Sequence, residues 1–83
     1  MLQEINEPVA VIALFDGSGV KPLRLKRCEQ VYHVRKVVNT WRHKRGLDHN
    51  LHVALETHEG LAIELVVDLT DLSWRIARLG NLS

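Results

Sequence analysis

A single cysteine, Cys28, excludes an internal disulfide, so nothing covalent constrains the fold. Chains of this kind are typical of a reducing compartment, and we expect a cytoplasmic protein. No apolar run approaches the roughly 20 residues that span a bilayer. The N-terminus also lacks the basic segment followed by an apolar one that marks a secretory signal. We therefore expect no membrane partner.

Motifs that carry chemistry are also missing. The sequence has no phosphate-binding loop, no dinucleotide-binding glycine pattern and no Cys-x-x-Cys pair. Asp16-Gly17-Ser18-Gly19 places a serine between glycines, but without the flanking spacing of a nucleophile elbow it predicts a turn. His49 and His52 would lie on opposite faces of a strand, whereas zinc needs three or four converging ligands. We expect no catalytic residue, no metal and no cofactor, and hence no enzyme.

What is present is a small core. The chain has 83 residues, 46% of them apolar, which suits one domain over residues 1–83. Six short segments are separated by turns containing Gly or Asp. This pattern predicts an all-β fold of about six antiparallel strands, a meander curled into a small barrel or half-barrel. Residues 1–7 look like a loose, acidic N-terminal lead-in.

The segments differ in how clearly they show two faces. Residues 9–15 are apolar on both, which predicts a strand buried on both sides or crossing the middle of a curled sheet. Leu23 and Leu25 alternate with Arg24 and Lys26, so the leucines are expected to face inward and the cations outward.

The longest strand is predicted over residues 30–44. Strict alternation would mix charged and bulky apolar side chains on both faces, and one extra residue near Arg35 removes this conflict as a β-bulge. The inward-facing side chains would then be Tyr32, Val34, Val37 and Trp41. A helix is the alternative, because the valines also fit a period of 3.6, although β-branched residues are poor helix formers.

The last segment, residues 73–79, is predicted as a strand, with a short helix as the alternative. Trp41 and Trp74 are expected to plug the ends of the core. The alternative for both is a partly exposed aromatic surface that stacks on a base or grips a protein partner. Continued alternation turns Arg27 toward the core side, where a charge needs a partner or a place at the rim.

Charge is unevenly distributed along the chain. Residues 21–45 carry nine cations and one acid, whereas the rest of the chain carries two cations and nine acids. One hypothesis is a nucleic-acid-binding face that contacts phosphates without reading bases. The alternative is an ordinary solvated face on which Glu56 and Glu64 neutralise the cations. The candidate nucleic-acid-binding residues are Arg24, Lys26, His33, Arg35, Arg42, Lys44 and Arg45.

A rival function is a protein-interaction or homo-oligomerisation module, in which the apolar segment 9–15 or the last segment pairs with a protein partner or with a second copy. Neither hypothesis involves catalysis. The first predicts weak, salt-sensitive binding to an oligonucleotide, and the second predicts a stable dimer or a protein complex.

The chain resembles a group of short bacterial β-domains of unknown function over residues 13–79. The shared residues are Phe15-Asp16, Pro22, Arg24, Tyr32, Val34, Val37, Trp41-Arg42, Glu56-Thr57-His58-Glu59-Gly60 and Trp74-Arg75-Ile76. Similar domains tend to have Trp in place of Arg27 and Gly in place of Glu29. The resemblance implies a small β fold, and because some such domains accompany DNA-repair polymerases it also implies nucleic acid as a partner. It supplies no catalytic residue.

Overall fold

The computed structural model describes residues 2–42 and 49–82. These residues form one antiparallel sheet in the order β1-β7-β6-β5-β4-β3-β2. The strands are β1 (Gln3–Pro8), β2 (Ala10–Asp16), β3 (Gly19–Arg27), β4 (Gln30–Arg42), β5 (Asn50–Thr57), β6 (Leu61–Asp68) and β7 (Ser73–Asn81). The predicted all-β meander is confirmed, as are the strands predicted over residues 30–44 and 73–79, up to Arg42 in the first case.

The N-terminal segment is ordered. Residues Gln3–Pro8 form β1, which pairs with β7, for example Gln3 with Leu79. The prediction of a loose lead-in over residues 1–7 is therefore wrong. The segment has a single branched apolar side chain, Ile5, which packs against the core. Backbone pairing rather than an apolar pattern holds β1 in place, and this adds a strand to the six that were predicted.

β1 and β2 are consecutive in the chain, with only Val9 between them, yet they lie at opposite edges of the sheet. The sheet must therefore curl until its edges approach each other at Val9, whose N–H donates to the carbonyl of Trp74 at 3.2 Å. We call the line where the edges approach each other the seam. It is not closed by a continuous ladder, which is consistent with the predicted barrel or half-barrel curl.

Two side-chain contacts join the sheet across the seam, one on each side of Val9. Arg27 of β3 donates to both carboxylate oxygens of Glu7 in β1, at 2.9 and 3.1 Å. The rings of Phe15 in β2 and Trp74 in β7 meet edge to face, with centroids 6.4 Å apart. Arg27, as expected, faces the core side and has a partner at the rim.

The core lies inside the curl. Its fully buried cluster consists of Leu25, Val53, Leu55, Ile63, Leu65 and Ile76. Each such side chain contributes about 1.5–3 kcal/mol when removed from water. Trp74 packs against this cluster, so its prediction as a core residue is confirmed. The central strands β5 and β6 supply most of the buried residues, and the edge strands contribute only partly buried side chains.

β4 contains two bulges. Its register with β5 shifts between Val34 and Lys36 and again between Val37 and Asn39. The first shift makes Arg35 the extra residue, as predicted. Tyr32 and Val34 pack against the core, also as predicted. The second shift was not predicted, and Val37 is 37% exposed although it lies opposite a buried residue of β5.

The second bulge moves Trp41 out of the core. Trp41 lies opposite His52, on the outer side of β5, and its ring stacks on the imidazole with centroids 5.3 Å apart. The prediction that Trp41 plugs the core is therefore wrong. Each bulge reverses which side chains face inward, so a second one cancels the effect of the first.

Two predictions about the β2–β3 hairpin are also wrong. β2 is an edge strand rather than a doubly buried one, since Ile12 and Leu14 are 51% and 48% exposed. Leu23 is 52% exposed because the register shifts between Ile12 and Ala13, which makes Leu23 an extra residue in β3. Leu25 is buried as predicted.

Candidate binding face

The outer face of β2 and β3 is built from cross-strand pairs that join an apolar residue to a cation. The pairs are Ala10–Lys26, Ile12–Arg24 and Leu14–Lys21. We call Ala10, Ile12 and Leu14 the apolar column, and Lys21, Arg24 and Lys26 the cationic column. On β4 the first two rows continue with Val31 and His33. All eight side chains are exposed.

The cationic column forms no ion pair with any carboxylate in the described parts of the chain. Asp16 lies near Lys21, but the pKa of Asp16 is lowered chiefly by the hydrogen bonds that Ser18 donates to it. Like charges on one strand repel each other in the absence of counter-charges. The column is therefore a source of positive potential beside exposed apolar surface.

Three side chains of β4 are different, because β5 and the turn after it supply carboxylates to them. Arg35 and Lys36 lie 3.0 and 3.9 Å from the carboxylate of Glu56. His33 contacts Glu59 twice, through its backbone N–H at 2.9 Å and through Nδ1 at 2.8 Å. The hydrogen bonds from the ring and the backbone N–H of His33 lower the pKa of Glu59.

These ion pairs separate the neutralised cations of the predicted site from its other cations. Glu56 neutralises cations as the solvated-face alternative proposed, whereas Glu64 lies beside His52 and Arg78, at 3.4 and 3.7 Å. Arg24 and Lys26 belong to the cationic column, and His33 extends the Arg24 row. Arg42 is exposed at the far end of β4, up to about 30 Å along the strand from His33. Lys44 and Arg45 lie outside the described residues.

A groove lies at the end of this surface nearest Ala10 and Lys26, and Val11 and Leu25 from the core side also line it. It has a volume of about 320 Å³ and is lined by residues 10–12 of β2, residues 24–26 of β3 and Val31. Arg24 and Lys26 supply the charged groups among these residues, and the remaining side chains are apolar. The groove can therefore accept an apolar group that lies next to an anionic one.

The backbone edge of β2 belongs to the same surface. β2 pairs with β3 on one side, and on its other side no described strand pairs with it. Val9 donates its N–H toward β7, so by alternation the N–H groups of Val11 and Ala13 point to the free edge. Natural edge strands are commonly protected by lysine or proline. Residues 10–15 of β2 contain neither.

Sequence reasoning identified two of the three cations in the column but missed Lys21 and the apolar column. Lys21 lies in the cation-rich stretch, which was the available signal. The exposure of Ile12 and Leu14 could not be read from the pattern, because an apolar run fits a buried strand equally well.

Other chemistry is sparse. Within residues 2–42 and 49–82, no three His, Cys, Asp or Glu side chains come together in a way that could hold a metal ion. Cys28 is exposed in the β3–β4 turn. Within the same two ranges, the chain forms no helix of the length and apolarity that a membrane crossing requires. In comparisons with known proteins, no family model, no curated protein and no solved structure matches this chain.

Proposed function

We propose that this domain is a non-catalytic protein-interaction module of the cytoplasm, with the outer face of β2 and β3 as its docking surface. The observation that carries the proposal is the exposed apolar column beside three cations that lack carboxylate partners among the described residues. Contiguous exposed apolar surface marks interaction sites, and arginine beside apolar groups is enriched at protein interfaces.

Nucleic-acid binding is the second candidate, and it is favoured by the charges of Lys21, Arg24 and Lys26, which form no ion pair within residues 2–42 and 49–82. Interfaces with nucleic acid are strongly positive and polar. Three features weaken this candidate. Arg35 and His33 are paired with glutamates, the exposed part of the face is half apolar, and Trp41 is stacked on His52 rather than free to stack on a base.

A display selection tests the first candidate. Random peptides would be selected on the intact domain and then tested on Ile12→Ser and Leu14→Ser variants. The matched control is Val38→Ser, because Val38 is also exposed, at 58%, but lies on β4. We expect peptides whose binding is lost in the β2 variants and kept in the control. Selected peptides that bind all three variants equally would contradict the proposal.

An oligonucleotide titration tests the second candidate. Fluorescence anisotropy of a labelled single strand would be measured at about 50 mM and 200 mM salt. Nucleic-acid binding predicts that affinity falls steeply with salt and is lost in Arg24→Ala and Lys26→Ala variants. It should persist in Arg35→Ala, whose charge Glu56 already balances. Such a result with no effect of Ile12→Ser would favour nucleic acid over a protein partner.

A further inference from the structure

We propose that the partner is an extended protein segment with acidic side chains at every second position, which adds to β2 as a further antiparallel strand. This inference rests on the proposed function and specifies the partner. It combines two independent features of the same surface, the free backbone edge of β2 and the charge of the cationic column.

The backbone feature is a hydrogen-bond ladder that stops partway along the chain. Gln3–Asp16 is one continuous stretch, and β7 pairs with only the first part of it. β7 pairs with this stretch up to Val9 and begins at Ser73, because the chain turns from β6 into β7 through Asp68–Leu72. Beyond Val9 the N–H groups of Val11 and Ala13 have no strand partner in the described parts of the chain. A segment that continues the line of β7 would supply acceptors for them, and would run antiparallel to β2.

The charge feature fixes which side chains the segment carries. Neighbouring strands lie about 4.8 Å apart, so an added strand would lie about 10 Å from β3. A glutamate and an arginine or lysine can bridge that distance together, because both side chains are long and flexible. The methylene groups of the glutamates would lie over Ile12 and Leu14. Residues spaced by two share a face, so three acids at alternate positions would each lie in a row that contains a residue of the cationic column.

The other face of the segment is apolar. Its alternate side chains would point toward the core side of the sheet, next to Val11 and Phe15, and Phe15 is 45% exposed although it contacts Trp74. An apolar residue there would cover this exposed surface. The segment therefore alternates apolar and acidic residues.

A second copy of this chain fits the edge poorly. Antiparallel pairing of two β2 strands in one continuous sheet would place both cationic columns on the same face, where they repel each other. An oligonucleotide would satisfy the cations but does not offer the regular carbonyl acceptors that a strand edge requires. Charge complementarity therefore selects an acidic peptide strand.

The test uses short synthetic peptides and the intact domain. The first peptide alternates Glu and Val over about seven residues, the usual length of a strand. The second has the same composition in blocks, so that its faces are mixed, and the third alternates Lys and Val. The fourth has the sequence of the first but carries methyl groups on alternate backbone nitrogens. It is made in two versions, and each version blocks the N–H groups along a different edge of the peptide strand. Binding is followed by NMR together with amide exchange of Val11 and Ala13.

We expect the Glu-Val peptide to bind and to slow exchange at Val11 and Ala13. Binding should weaken about tenfold or more in one methylated version, in the block peptide and in the Arg24→Ala/Lys26→Ala variant. A tenfold loss corresponds to about 1.4 kcal/mol, near the net value of one hydrogen bond. The Lys-Val peptide should not bind.

Four results would overturn the inference. Binding that leaves both amides unprotected, with both methylated versions equally effective, would rule out strand addition but leave the protein-interaction face intact. Equal binding of the Lys-Val peptide would rule out the charge argument. At about 0.1 M salt, a dimer that protects Val11 and Ala13 without peptide would assign the edge to a second copy. Failure of every peptide, together with failure of the display selection, would remove the proposed function as well.

Discussion

Arg27 shows at the scale of one residue how a charge is accommodated on the core side of a strand. Its guanidinium is partly covered and makes two hydrogen bonds to Glu7 across the seam. The pKa of Arg27 is raised, first by Glu7 and to a smaller extent by Tyr32. Two edges that share no backbone ladder are held together here by a bidentate ion pair, a geometry stronger than a single contact.

This pair predicts a pH dependence of stability. Hydrogen bonds from Arg27 lower the pKa of Glu7 below its usual range. The ionised carboxylate therefore stabilises the fold above its unfolded pKa of about 4.3, and this contribution is lost as the pH falls through the lower folded pKa. We expect Glu7→Gln to lower the melting temperature at pH 7, and the difference from wild type to shrink below about pH 4.

The control is Glu4→Gln, which removes the same charge from the same strand. Glu4 is 81% exposed at its side chain and lies 4.0 Å from Arg78, so its contribution should be small. Thermal melts of the three proteins between about pH 3 and 7 would measure the effect. A constant difference between wild type and Glu7→Gln over that range would contradict the role assigned to Arg27.

Gly60 gives a second prediction at this scale, since its φ angle is +86° and a Cβ there would meet nothing within 4 Å. The cost of Gly60→Ala is therefore backbone strain alone, about 1 kcal/mol, or a loss of about 4–8 °C in melting temperature. Gly17→Ala is the matched control, because Gly17 has equal space and no positive φ. Calorimetry showing equal losses for the two variants would contradict this explanation.

At the scale of elements, the strands that alternate strictly were predictable from the sequence. In β5 and β6, Val53, Leu55, Ile63 and Leu65 point into the core as their period of two indicates. One bulge in β4 was also predictable, because Arg35 interrupts the apolar pattern. The second bulge was not, since Val38 is apolar and gives no sign that its side chain is exposed.

The candidate face could be predicted only in part, for a related physical reason. Charge alternation placed Arg24 and Lys26 outward, and that is correct. Whether a cation is neutralised depends on which strand lies next to it. At Arg35, β4 pairs with β5 rather than with β3, and β5 supplies the Glu56 carboxylate that neutralises Arg35. The exposure of β2 depends on the sheet order, which no local pattern contains.

Amide exchange rates should differ between the strands according to how deeply each strand is buried. Amides of β5 and β6 lie in the middle of the sheet beside fully buried side chains, and we expect them to exchange most slowly. Within β2 the rates should alternate, with Val11 and Ala13 faster than Ile12 and Leu14, because only the latter pair points toward β3. NMR exchange rates that are uniform along β2 would contradict the free edge.

For the whole molecule, folding brings together charges that the chain separates. Cations of residues 21–45 meet acids from outside that stretch in the pairs Arg27–Glu7, Arg35–Glu56 and Lys36–Glu56. Among the described cations of residues 21–42, those without an ion pair are the cationic column and Arg42 at the far end of β4. The cationic column is thus a local source of positive potential next to the apolar column.

That arrangement predicts how the molecule associates with itself. The apolar column favours pairing of two β2 edges, whereas the cationic columns oppose it. The Debye length falls from about 10 Å at 0.1 M salt to about 3 Å at 1 M salt, so salt removes the repulsion and leaves the apolar attraction. We expect sedimentation to show a monomer at the lower salt concentration and a concentration-dependent dimer at the higher one. Ile12→Lys should abolish the dimer and Val38→Lys should not, because Val38 is also exposed but lies on β4, which does not pair with β2. A dimer that is stable at low salt and dissociates as salt rises would mean that opposite charges, rather than the β2 edge, join the two copies.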